Sequence, residues 1–64
     1  MGDMRRIRRE KEINQYELAR AAGISQAMVS LIERGFRDPN TGVKRKIARA
    51  LRCQVNELFP ANNE

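Results

Sequence analysis

The sequence predicts an all-α fold, a compact five-helix bundle built as one domain over residues 1–64. Three observations predict it. Apolar residues recur at helical spacing: Met4 and Ile7, Leu18 and Ala22, Val29 and Ile32, Ile47 and Leu51. Residue types that start or stop helices fall between these groups: Asn14, Gly23, Ser25, Gly35, Pro39, Asn40 and Pro60. The length sets the third. A chain of 64 residues buries only about 60% of its unfolded surface. That leaves room for a thin core under a few helices. It leaves none for a deep catalytic cleft or a separate ligand-sensing domain.

Asp3 is suited to cap a first helix running to about Glu12. Met4 and Ile7 form its inner face, and Arg5, Arg6, Arg8 and Arg9 surround them. Those arginines are either a solvated face or, for Arg5 or Arg6, a phosphate contact near the helix start. Ile13 plugs the following turn. Asn14 caps a second helix over 15–22, with Leu18, Ala19 and Ala22 along one narrow face. Glu17 near its start favours the helix dipole. Gly23 falls where the chain must turn sharply, the place for a left-handed residue. Ser25 caps a third helix from Gln26 to about Arg34, with Val29 and Ile32 turned inward. Because Ala19 and Ala22 are small, the third helix can cross close to the second. Residues 15–34 thus read as a helix-turn-helix.

Gly35 ends the third helix. Phe36, Arg37, Asp38 and Pro39 form a loop, in which Phe36 either covers the edge of the core or faces a bound sugar–phosphate chain. Pro39 and Asn40 open a fourth helix to about Arg52. Its buried stripe is Ile47, Ala48, Ala50 and Leu51, and its basic face is Lys44, Arg45, Arg49 and Arg52. Cys53 takes a small apolar position and is expected to be buried and inert. A short fifth helix, capped by Gln54 or Asn56, holds Glu57, Leu58 and Phe59 and stops at Pro60. Residues 61–64 are expected to fray.

Charge narrows the partners. The chain carries 13 basic and 8 acidic residues, a net charge of +5, and ten of the cations are Arg. Such a balance suits a polyanion, and Arg suits bidentate contacts to phosphate. The basic fourth helix is a poor membrane-surface element, because its apolar face is narrow and the chain has no Trp. With one Cys and no His, neither an intrachain disulfide nor a cysteine metal site is available, and no metal or other cofactor is expected. Paired catalytic carboxylates are absent and Cys53 lacks an activating base, so no enzyme and no small-molecule substrate are expected. Residues 1–12 are too charged for a signal peptide, and no membrane-spanning run follows, so a cytoplasmic location is expected.

The spacing of Asn14-Gln15, Glu17-Leu18-Ala19, Gly23-Ile24-Ser25, Val29-Ser30, Ile32-Glu33 and Gly35 resembles that of the Cro/C1-type (XRE-family) helix-turn-helix proteins. Ile7-Arg8, Pro39, Ile47-Ala48, Ala50-Leu51 and Glu57-Leu58-Phe59 extend the likeness over residues 4–59. The resemblance implies a lambda-repressor-like DNA-binding domain, a double-stranded DNA partner, and a homodimer on a near-palindrome whose half-sites lie about 34 Å apart. It also implies that Arg8 pairs with Glu33. The residues suggest the same, since each charge directly follows a core position and a carboxylate there needs a cation. Three positions depart from the family pattern. Leu31 stands where a polar or basic residue is usual, Lys44 where an apolar one is, and Arg52 where a Gly is.

On this reading the third helix, 25–34, reads the major groove. With Val29 and Ile32 inward, Gln26, Ala27, Ser30 and Leu31 lie on the outer arc and Met28 at its edge. Gln can bond adenine N6 and N7, and Ala or Leu can touch a thymine methyl. Leu31 is either such a contact or a cover for the core. Gln15, Ser25, Arg34, Arg37, Lys44 and Arg45 are the candidate phosphate contacts. In the family the residue matching Gln15 touches the DNA backbone and braces the reading helix. Leu58 and Phe59 are either the dimer interface or part of the monomer core. The expected function is a sequence-specific transcriptional regulator, a dimeric repressor. The alternative is an antitoxin-like or adaptor module that uses the fold to bind protein. Single-stranded RNA fits poorly, since three aromatic residues supply too few stacking platforms.

Overall fold

Helices of eight residues do not persist alone in water; here they are held by caps and by a shared core. A computed structural model describes residues 3–60. Its elements are α1 (Asp3–Glu10), α2 (Gln15–Ala22), α3 (Gln26–Glu33), α4 (Thr41–Leu51) and α5 (Val55–Leu58). No strand occurs among the described residues. None of their helices is long and apolar enough to cross a membrane. The tail expected to fray, 61–64, lies outside the described residues.

Caps set the boundaries. The Asn14 side chain accepts from the Glu17 N–H at 2.7 Å, and the Glu17 carboxylate accepts from the Asn14 N–H at 2.9 Å. This reciprocal capping box starts α2. Ser25 Oγ accepts from the Met28 N–H at 3.0 Å and starts α3. Asn40 Oδ1 accepts from the Val43 N–H at 2.9 Å, so α4 begins at Thr41, later than Pro39 and Asn40 suggested. Gly23, at φ 72°, closes α2, with the Ile24 N–H donating to Ala19 O at 3.0 Å.

Two further ends differ from expectation, and a third keeps its cap. Asp3 stands inside the first turn of α1. That helix stops at Glu10 because Glu12 takes a left-handed conformation, φ 58°, and its N–H turns back to Arg9 O. Arg52, in place of the family's Gly, keeps the left-handed cap at φ 57°. Its N–H donates to the carbonyls of Ala48 and Arg49.

The core joins all five helices: Met4 and Ile7 of α1, Leu18, Ala19 and Ala22 of α2, Val29 and Ile32 of α3, Ile47, Ala48 and Leu51 of α4, and Leu58 of α5. Helix α2 packs on both α3 and α4, while α5 lies against α1 and α4. The small faces of Ala19 and Ala22 sit inside this arrangement, 3% and 4% exposed. They let α3 approach α2 closely and turn its opposite side outward.

Leu58 is 3% exposed and belongs to the monomer core, because α5 folds back over α1 and α4. Of the two readings offered for Leu58, its burial agrees with the monomer core. Phe36 does not cover the core edge; it is 71% exposed. Cys53 is only half-buried against the core. Burial and the nearby Glu57 carboxylate push its thiol above the ordinary range, against an opposing pull from Lys11, so it stays protonated at neutral pH.

Candidate nucleic-acid interface

The position of α3 is fixed at its last residue. The Glu33 side chain has no exposed surface, and Arg8 faces it with 9%. Arg8 Nε donates to Oε2 at 2.7 Å and Nη2 to Oε1 at 3.2 Å, a bidentate pair. The remaining nitrogen, Nη1, donates to Ile13 O at 2.8 Å and holds the α1–α2 turn. Two further donors reach Oε1: Gln15 Nε2 at 3.0 Å and Arg5 Nε at 3.4 Å. Burial alone would raise the Glu33 pKa. The bonds from Arg8 and Gln15, the Arg8 charge and the Arg5 bond outweigh it and hold the carboxyl below its ordinary 4.5. Among the described residues no buried side-chain polar atom lacks a partner.

One member of this cluster, Arg5, was open to a closer reading of the sequence. Arg5 lies three residues before Arg8, on the same helix face. It joins Glu33, while Arg6 turns away to Asp3 and Glu10, at 3.4 and 3.3 Å. Gln15 spends one amide hydrogen on Glu33 and keeps the other, so it can brace α3 and still donate to a phosphate. The capping partner of Asn14 was also legible, as Glu three residues on.

On α3, Gln26 and Ala27 are exposed, and Met28, Ser30 and Leu31 are half-buried. Of the half-buried apolar pair, Met28 is the one packed against the core. Ser25 accepts a capping bond yet retains its hydroxyl proton to donate outward. Arg34, Arg37 and Arg45 are exposed, and none has an ion pair among the described residues. Lys44 is half-buried, its ammonium 5.5 Å from the Phe59 ring, so a candidate phosphate contact and the remaining candidate dimer residue share one patch. Chemically, the arrangement offers amide, hydroxyl and methyl groups on a rigid arc, with uncompensated cations at its edge. Among the described residues there is no cluster able to hold a metal ion.

Residues 4–58 match the family model described as helix-turn-helix. An uncharacterized HTH-type transcriptional regulator, y4dJ of Sinorhizobium fredii, is 37% identical over 59 residues, covering 92% of this chain and 77% of the relative. Another, Rv0474 of Mycobacterium tuberculosis, is 36% identical over 56 residues, which cover 83% of this chain and 40% of the relative. The fold matches the crystal structure of the restriction-modification controller protein C.AhdI from Aeromonas hydrophila. The TM-score is 0.86 and the identity 33%, over 89% of this chain and 86% of that one. By sequence and fold alike, the chain belongs to the Cro/C1-type helix-turn-helix family of DNA-binding transcriptional regulators, a family of non-enzymes.

Proposed function

We propose that the chain is a repressor that binds a specific double-stranded DNA site as a homodimer, with α3 in the major groove. One observation carries this reading. The outer arc of α3 leaves Gln26 and Ala27 exposed at its capped end, and Arg34 and Arg37, cations without an ion pair among the described residues, follow its other end. Gln26 donates to N7 of an adenine and accepts from its N6, while Ala27 and Leu31 face thymine methyls. Ser30 adds a hydroxyl, and Met28 shapes the edge of the contact from the core side. Gln15, Ser25, Arg34, Arg37, Lys44 and Arg45 hold the phosphates and set the register, since backbone contacts position and base contacts specify. Phe59 with Lys44 supplies the self-contact, which repeats in the partner by two-fold symmetry. The naming of its relatives as transcriptional regulators supports the reading.

The test is selection of bound sites from random duplex DNA, with sedimentation of the complex. The expected product is a near-palindrome with half-sites about one turn, roughly 34 Å, apart, bound by two chains. No enrichment would remove sequence-specific binding, and a single half-site bound by one chain would remove the dimer. A reporter driven through the selected site should fall when the protein is present; a rise would make it an activator.

A further inference from the structure

Phe36 is the most exposed large apolar side chain of the described residues, at 71%. A ring left in water forfeits the stabilisation that burial gives. Nor is it a loose appendage. Gly35, at φ 81°, turns the chain, its N–H donating to Ile32 O at 3.1 Å, and the Phe36 N–H donates to Leu31 O at 2.9 Å. The backbone of Phe36 is therefore tied to the last turn of α3 and moves with it. The Arg34 guanidinium lies over the ring, 5.2 Å from its centre. Arg37 is the next residue in the chain, exposed like Arg34, and neither arginine has an ion pair among the described residues. Asp38 is the loop's single acid.

An apolar ring with one exposed cation over it and another next to it in the chain is a poor match for the apolar face of a second copy, which would bring the same cations against it. It matches a deoxyribose, whose C–H face lies between two phosphates. We propose that Phe36 is a DNA-contacting residue. Its ring covers a deoxyribose on the strand bordering the groove that α3 enters, and Arg34 and Arg37 take the phosphates on either side. This rests on the function proposed above and adds to it a contact that contributes affinity without reading sequence. Because the ring carries no charge, its contribution releases no counterions.

The chain contains no Trp, so Phe36→Trp places a single indole at the site. On addition of the selected duplex, its emission should shift to the blue and its quenching by acrylamide should fall. Phe36→Ala should keep the parent's melting temperature and weaken binding to every duplex by on the order of fivefold, with an unchanged salt slope and base profile. Phe36→Trp should retain parental affinity. An indole equally open to quencher in the free and bound states, or parental affinity in Phe36→Ala, overturns the contact while leaving DNA binding intact. Protection of the indole on self-association without DNA overturns it in favour of a second copy. If the parent takes no duplex at all, both readings fall together.

Discussion

Glu33 receives four hydrogen bonds from three side chains, two of them from Arg8. Removing either member of a buried pair strands the other charge, at a cost of about 3–5 kcal/mol. A domain of this size has roughly 3–10 kcal/mol in total, so Arg8→Ala or Glu33→Ala should unfold much of the population. Thermal melting of both single variants and the double variant measures the coupling. The double should lose much less than the sum of the singles, whereas additive losses would show two independent charges. Acid should act through the same residue. With its folded pKa held below the ordinary 4.5, Glu33 contributes its full stabilisation above that value and loses it as pH falls through the folded pKa. Denaturant midpoints from pH 7 to pH 2 should therefore decline below about 4.5. The decline should be shallower in Glu33→Gln; an identical acid limb would assign it to other carboxylates.

At the level of elements, caps and helix ends govern both stability and reading. Helix α4 closes on Arg52 in the left-handed region, which an L-residue with a side chain occupies at a cost. Arg52→Gly should stabilise the fold by about 0.5–1 kcal/mol, the relief exceeding the extra freedom that Gly gives the unfolded chain. A lower midpoint in urea would mean that the Arg52 side chain contributes something the backbone does not reveal. On the proposed function, Gln26 on α3 is a reader and Arg37, in the loop after it, a holder. Gln26→Ala should cost about 1–3 kcal/mol on the preferred duplex and relax discrimination at one base pair. Arg37→Ala should weaken all duplexes alike and flatten the salt slope by about one unit. Binding-site profiles of the two variants decide it. An unaltered profile in Gln26→Ala would take that residue out of base reading.

For the whole molecule, the proposed dimer would bring two chains of net charge +5 to a polyanion. Each phosphate they neutralise releases counterions, so affinity should fall linearly in log salt. For about 6–10 contacts the loss is on the order of 10³–10⁵ between 50 and 200 mM. Fluorescence anisotropy on the selected duplex across that range measures it. A flat titration would remove DNA as the partner.

The sequence by itself determined the five helices, the turn at Gly23 and the core faces, because these rest on periodicity and cap chemistry that act within a few residues. The Arg8–Glu33 pair was also legible, implied by the family resemblance and consistent with two charges beside core positions. What only the tertiary structure decided were the contacts between residues distant in the chain, where local spacing is silent. It separated Arg5, on Glu33, from Arg6, on Asp3 and Glu10, although the two are neighbours in sequence. It buried Leu58, because α5 folds back onto α1 and α4, and left the adjoining Phe59 beside Lys44. It also turned Phe36 out to water over Arg34. The direction of a loop side chain follows from how the helix before it ends, and apolar character alone does not set it.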